Sequence, residues 1–201
     1  VSYEIREKWF GVKAAAIRAV GVEKKHLRVH SFAMPFIACV PTAFLVNGKP
    51  DGYLVVYQTP SDDYHTARYN FRFKRSEPLT EQEVAFDRFQ LEADFHLLAN
   101  SANNYLIDRE KQRASNYTGI EGFATQDACV TESMGAICDR SEEHLGVTDA
   151  FIMAVRRFLI RAARELQAGK DAPGIITAEN QNELSEINSY ERTVPLDAAW
   201  D

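Results

Sequence analysis

The sequence predicts an α+β fold, with an antiparallel sheet in its first third and helices that pack on one face of that sheet. Three patterns carry this reading. Ala67, Tyr69, Phe71 and Phe73 alternate with Arg68, Asn70, Arg72 and Lys74, the period of two of an antiparallel strand with one wet face. Thr80 and Glu83 have the spacing of a capping box. Beyond Gly146, the residues Phe151, Ile152, Val155, Phe158, Leu159, Ala162, Ala163 and Leu166 recur at helical spacing, with Arg156, Arg157, Arg161 and Arg164 on the other side.

In chain order, residues 3–12, 10–20 and 27–33 read as strands. A turn cluster at 47–52, with Asn-Gly and Lys-Pro-Asp-Gly in it, joins 36–46 to 53–59 as a hairpin. Thr59, Pro60, Ser61, Asp62 and Asp63 then turn the chain into the 67–74 strand. The sum is a meander of about five antiparallel strands over residues 1–76. Residues 80–168 hold the helices and a loop between them. The first helix runs from Thr80 to about residue 98, with Leu79 and Val84 placed for a hydrophobic staple. Residues 100–118 are polar and read as a long connection, and 125–136 as a second helix. For the last helix Thr148 is the N-cap, Asp149 suits the positive end and Gly169 is the C′ residue. The tail, 173–201, is poor in apolar residues and is expected to wrap the surface.

Composition excludes several classes. The chain has 201 residues, 45% hydrophobic and 26% charged, with a formal net charge of -6. Basic residues do not cluster with aromatics, so a nucleic-acid partner is not expected. The apolar stretch 32–46 is broken by Pro35 and Pro41, too short and interrupted to span a membrane. The cysteines Cys39, Cys129 and Cys138 are odd in number and show no metal-type pairing, as in a reduced, cytoplasmic protein. The chain lacks an initiator Met and opens directly on a strand, which predicts a portion of a larger protein, whether a cloned domain or a proteolytic piece.

Elementary site chemistry yields little. His26 and His30 have i, i+4 spacing, but on a strand their rings stand about 13 Å apart and cannot share one metal. His65 reads as a turn residue beside Asp62 and Asp63, and His96 and His144 as surface residues of helices. Gly119-Ile120-Glu121-Gly122 lacks the Gly-Lys-Ser/Thr ending of a phosphate loop. Cys129 and Cys138 lie in an acidic region and read as structural thiols.

The informative stretch is 103–146. It contains Asn103-Asn104-Tyr105-Leu106-Ile107-Asp108-Arg109-Glu110, then Tyr117-Thr118-Gly119-Ile120-Glu121-Gly122-Phe123. Gln126-Asp127-Ala128-Cys129-Val130-Thr131-Glu132-Ser133-Met134-Gly135 follows, then Asp139-Arg140-Ser141-Glu142-Glu143-His144-Leu145-Gly146. In order and spacing this resembles the C-terminal signature of the catalytic (alpha) subunits of Rieske non-haem iron ring-hydroxylating oxygenases of the phthalate-dioxygenase type. Met34-Pro35-Phe36 and Asp62-Asp63-x-His65-Thr66 also look like this family.

The resemblance implies that residues 1–172 are the C-terminal part of a helix-grip, START-like catalytic domain. It implies that Asp127 is the carboxylate ligand of a mononuclear Fe(II), completed by two histidines in a facial triad. Gln126, Asn104, Thr131 and Glu132 are the supporting residues. Glu132 lies five residues beyond Asp127, about 140° around a helix, so it is expected to hydrogen-bond and not to share the metal. Thr131 and Met134 are expected on the face of Asp127. Asp108, Arg109, Asp139 and Arg140 are expected to form an internal ion-pair network. The family further implies a 2Fe-2S cluster in a Rieske domain, NAD(P)H electrons through a separate reductase, O2, a small aromatic substrate and a homotrimer. The cluster's Cys-x-His and Cys-x-x-His pairs and the helix bearing the two iron histidines have no counterpart here, so the chain alone is expected to be inactive. Val55, Tyr57, Phe71 and Phe73, expected on the sheet face toward the helices, are candidates for an apolar substrate pocket or for plain core packing. Two other classes remain open: a free-standing helix-grip domain binding a small apolar ligand without catalysis, and a trimerising structural domain.

Overall fold

The computed structural model describes residues 1–41, 44–47, 49–85, 90–176 and 184–201. Residues 42–43 of the expected 36–46 strand, Gly48 of the expected turn, 86–89 of the expected first helix and 177–183 of the tail lie outside the described residues. The fold is α+β, as expected, and divides into two compact units, Val1–Pro78 with His144–Asp201, and Leu79–Glu143.

The first unit is built on an antiparallel sheet. Its strands are β1 (Ser2–Lys8), β2 (Gly11–Val20), β3 (Lys24–Ala33), β4 (Ile37–Pro41), β7 (Tyr53–Pro60) and β8 (Thr66–Arg72), hydrogen-bonded in that order. A small hairpin, β5 (Leu45–Val46) with β6 (Lys49–Pro50), caps the β4–β7 turn. The expected hairpin is present, with Ile37 opposite Tyr57 and Pro41 opposite Tyr53. Gly11 lets the start of β2 lie close against β3: at φ +153° a Cβ there would stand 2.1 Å from the Phe32 carbonyl oxygen.

The tail does not merely wrap the surface. It supplies β9 (Tyr190–Pro195), which pairs with β3 from Lys24↔Pro195 to Val29↔Tyr190. Because β2 occupies one edge of β3 along its whole length, β4 and β9 share the other edge end to end. The apolar poverty of the tail misleads because main-chain pairing, polar side chains such as Ser189 and Asp201, and one indole make the attachment. Trp200 is 4% exposed and packs with Ala15, Leu27 and Val29.

Directly opposed residues of antiparallel strands share a face, so the register assigns the two faces of the sheet. One face carries Glu7, Val12, Ala14, His30, Phe32, Ala38, Val56 and Asn70 in register. Helix α4 (Ala150–Gln167) lies there: Phe158 and Ala162 are buried, Arg161 pairs with Glu7, and Phe151 sits 6.5 Å from the His30 ring. The centre of the stripe read from the sequence, Phe158 and Ala162, is therefore the packing face of α4, while Ile152, Ala163 and Leu166 of the same stripe are exposed; Gly169 at φ +75° follows the helix end as expected. Thr148 is not the cap. It lies inside a 3-10 turn, Val147–Asp149, closed by the Asp149 carboxylate, which accepts from Gly146 N at 2.8 Å.

The opposite face carries Arg6, Lys13, Ala15, Val29, Ser31, Cys39, Val55, Tyr57, Tyr69 and Phe71. The C-terminal segment covers part of it: Ser31 Oγ donates to Asn188 O at 2.6 Å, Ser189 Oγ to Val29 O at 2.6 Å, and Tyr53 OH to Ile187 O at 2.8 Å. Lys13, with its side chain 6% exposed, reaches Asp201, which also accepts Arg6 and Lys8. Burial pushes the Asp201 carboxyl up, but hydrogen bonds from Lys8, Lys13 and Arg6 outweigh this and hold it below its ordinary value.

Two sequence expectations about this sheet are corrected. Val55, Tyr57 and Phe71 do not face α4. They lie on the other side, where Tyr57 and Phe71 meet edge to face at 5.4 Å. The wet face of β8 is also reversed. Tyr69 and Phe71 are 56% and 55% exposed, while Arg68, Asn70 and Arg72 are half-buried and Arg68 Nε donates to Asn70 Oδ1 at 3.2 Å. Alternation fixes which residues share a face, not which face is covered. Among the described residues, no helix is long and apolar enough to cross a membrane.

Candidate functional site

The second unit holds every residue singled out from the signature. It opens with α1 (Glu81–Ala85), capped as expected: Thr80 N donates to Glu83 at 2.8 Å and Glu83 N to Thr80 Oγ1 at 3.3 Å. Helix does not extend to residue 98. Leu91 and Leu97 form an antiparallel bridge around a turn in which the Asp94 side chain accepts from His96 N at 3.2 Å. A short acid bonding its own backbone competes with the helix. His96 is thus an exposed turn residue, and His144 likewise lies outside any helix.

Residues 100–118 are not an open connection. Asn100 and Asn103 cap a 3-10 turn, Ser101–Leu106: Ala102 N donates to Asn100 Oδ1 at 3.0 Å and Asn100 N to Asn103 Oδ1 at 2.9 Å. Inside it Asn104, Tyr105 and Leu106 have φ of 52°, 53° and 51°. Three successive non-glycine residues in the left-handed region cost on the order of 1–2 kcal/mol each. Helix α2 (Arg109–Ala114) follows, capped by Asp108, which accepts from Glu110 N and Lys111 N at 2.9 Å each.

Asp108, Arg109, Asp139 and Arg140 do not form the expected network with one another. Arg109 bonds Gln112, Asp139 caps a 3-10 turn through Ser141, and Arg140 pairs with Glu143 at 3.4 Å. Each satisfies its own local turn, which short-range geometry reaches more readily than a network between segments.

Helix α3 (Phe123–Glu132) carries Gln126, Asp127, Thr131 and Glu132. Asn116 prepares its entry by accepting from Thr118 N and Gly119 N and donating to Ile120 O at 3.0 Å. Gln126 Nε2 donates to the same Ile120 carbonyl at 3.1 Å, and Gly119, at φ +73°, bears no Cβ to strike Asp108 O, 2.5 Å away. Gly119-Ile120-Glu121-Gly122 is thus a turn locked by Asn116. The buried side of α3 is made of Ala124 and Thr125. Glu132, itself exposed, accepts from Tyr105 OH at 2.6 Å, a hydrogen-bonding role as its angular offset from Asp127 predicts. Burial, then the hydrogen bond to Glu132, pushes the Tyr105 hydroxyl up to about 12, so it stays a donor.

Asp127 is half-buried on the side away from Glu132, flanked by Phe123 and Val130, which are 66% and 65% exposed. Thr131 shares its face, but its hydroxyl bonds the carbonyls of Asp127 at 2.9 Å and Ala128 at 3.1 Å. Met134 does not share it, because α3 ends at Glu132 and Gly135 turns the chain at φ +91°. Asn104 is exposed on the 3-10 turn, where its carbonyl accepts from Ile107 N at 3.2 Å. Tyr105, its neighbour, is the residue that sequence reasoning passed over. It stood in the quoted signature, yet nothing in its spacing pointed at Glu132.

Among the described residues there is no group of three or more His, Cys, Asp or Glu that could hold a metal ion. The half-buried Asp127 carboxylate would supply one corner of a two-histidine, one-carboxylate site and no more. His26 and His30 lie on β3 as expected, where His26 bonds Thr193 and His30 accepts from Arg28. Burial pushes the Cys39 thiol up to about 11, which makes it inert packing.

Comparison with known proteins gives three matches. The family model described as LigXa C-terminal domain like matches residues 2–201. The oxygenase subunit of phthalate 4,5-dioxygenase from Pseudomonas putida is 31% identical over 209 residues, covering 98% of this chain and 45% of that protein. The oxygenase subunit of 3-chlorobenzoate-3,4-dioxygenase from Comamonas testosteroni is 28% identical over 196 residues, covering 88% of this chain and 44% of that protein. The chain therefore spans somewhat under half the length of these relatives. With the family model matching nearly the whole chain and both relatives being dioxygenase oxygenase subunits, the chain belongs to the LigXa C-terminal domain-like family, and its resemblance to the phthalate-dioxygenase type is borne out.

Proposed function

We propose that this chain is part of the catalytic domain of an aromatic ring-hydroxylating or O-demethylating Rieske oxygenase, and that Asp127 is the carboxylate ligand of its mononuclear Fe(II). The observation that carries the reading is the placement of Asp127. It sits in the Gln-Asp pair of the 103–146 stretch, in a chain 31% and 28% identical to two aromatic-dioxygenase subunits, on a helix where it is flanked by the exposed Phe123 and Val130.

The two histidine ligands belong to another segment of the parent protein, and so does the 2Fe-2S cluster. The iron, when bound, supplies the activation of O2 with electrons that reach it from NAD(P)H through a separate reductase and the cluster. Asp127 contributes negative charge and a fixed direction of approach. Phe123 and Val130 exclude water on either side of it once the rest of the parent covers them. The substrate is a small aromatic molecule, the assembly a homotrimer in the cytoplasm, and the chain alone is inactive.

The test uses the full-length gene product with a reductase. Asp127→Ala should remove the mononuclear iron and lower aromatic oxygenation by at least ~100-fold, with the cluster retained. Unchanged iron content and activity would discard the iron role of Asp127 and favour a helix-grip ligand-binding domain.

A further inference from the structure

We infer that the sheet face opposite α4 carries a binding site for a small organic acid, a single carboxylate with a short apolar tail, held by Lys13, Arg75 and Arg192. The inference goes beyond the iron role proposed for Asp127 and does not depend on it.

A cavity of about 340 Å³ lies on that face, and Lys13, Arg75, Tyr190, Arg192, Trp200 and Asp201 are among its walls. All of them belong to the first unit. Register sets Tyr190 opposite Val29 and Arg192 opposite Leu27, on the side that carries Lys13. The volume falls at the small end of ligand sites, which run from about 300 to 1,000 Å³. Charge decides what the cavity can take. The chain as a whole has a net charge of -6, yet three cations and one carboxylate line this cavity. Lys13 is 5% exposed, although lysine ordinarily keeps its ammonium in water. Among the described residues its partner is Asp201 at 3.3 Å, and the same carboxylate also takes Arg6 and Lys8. One carboxylate shared in this way leaves the buried ammonium with N–H donors to spare.

The two arginines are exposed, and each guanidinium lies over a tyrosine ring: Arg75 at 5.6 Å from the centre of Tyr53, Arg192 at 4.7 Å from that of Tyr190. Stacking fixes the plane of a guanidinium and points N–H groups along its edge, the geometry that receives both oxygens of a carboxylate. Asp51, the acid beside Arg75, is taken up by the main-chain N–H groups of Arg75 and Ser76 and by the Ser76 hydroxyl. Asp201 sets the limit on the ligand's charge, since its own negative charge opposes a dianion more than a monoanion. Tyr190 and Trp200 supply the apolar wall for a short tail.

The test titrates the full-length protein with pentanoate in a calorimeter at low salt. Pentanamide serves as the uncharged copy of the probe, and inorganic phosphate as a compact anion of higher charge. Pentanoate should bind at least about tenfold more tightly than either. Arg75→Gln and Arg192→Gln should each weaken pentanoate about tenfold at unchanged melting temperature, and the double variant should show no binding. Asp201→Asn removes the like charge and should tighten pentanoate about threefold and phosphate by more; a damaged fold would do the reverse. Absence of pentanoate binding overturns the inference, as does full affinity in the double variant. Pentanamide or phosphate bound as tightly as pentanoate overturns the assignment to an organic acid. Should the arginine variants melt early, Asp201→Asn decides: unchanged or weaker binding there overturns the site.

Discussion

His30 has its ring near Phe151 and its Nε2 accepting from Arg28 Nε at 3.3 Å. Burial, and then the neighbouring guanidinium, hold its pKa down at about 4 against an ordinary value of 6.5. Between these values the unfolded chain binds a proton that the folded chain refuses. The stability tied to neutral His30 is therefore present above about pH 6.5 and lost as pH falls through 4. His30→Gln keeps an acceptor for Arg28 but does not titrate. Urea unfolding at pH 7 and pH 4.5 should show the wild type losing about 2 kcal/mol more than the variant. Equal losses would show that the ring titrates alike in both states. At this scale the sequence was readable where geometry is periodic. Glu132 follows from its offset to Asp127, and the separation of His26 from His30 follows from strand rise. Tyr105 was not readable, because a left-handed run built on Asn104, Tyr105 and Leu106 has no period and its partner lies 27 residues away.

Among elements, α4 is the one whose sequence pattern and packing agree most closely, and its stripe centres on Phe158, 2% exposed with the Arg161 guanidinium 4.9 Å from its ring centre. Phe158→Ala should leave a cavity against β1 and β2 and cost about 3–5 kcal/mol, read as a lowered denaturant midpoint at unchanged slope. A loss below about 1 kcal/mol would mean that α4 is held by its ends and not by its stripe. The capping box at Thr80 and the glycine after α4 were equally legible, since each is a local rule with one solution. The helix expected to reach residue 98 was not, because Asp94 offered its own backbone a competing bond. β8 failed differently. Its alternation was correct, but the apolar residues turned outward, since an edge strand's faces take their environment from what the rest of the chain lays over them.

For the whole molecule, the fold class could be read from the segregation of strands and helices, and the family from a signature in which several elements match in order. The path of the C-terminal segment could not, since strand pairing through the backbone leaves little trace in side-chain composition. Ending the gene after residue 183 should expose Ala15, Leu27 and Val29 together with the free edge of β3. Such a chain is expected to elute as aggregates in size-exclusion chromatography and to lose its cooperative melt. A monomeric truncated chain with wild-type melting would show that β9 is dispensable. The divided edge of β3 also bears on how this protein is made. Val29 and Ser189, joined through one hydroxyl, are 160 residues apart. As the polypeptide leaves the ribosome, half of a central strand must wait unpaired while nearly everything else is synthesised. Loops of this length close slowly and keep apolar edges open to strangers. A product stalled or terminated before β9 would display its central strand to chaperones and proteases, so that the arrival of β9 separates a closed sheet from one marked for removal.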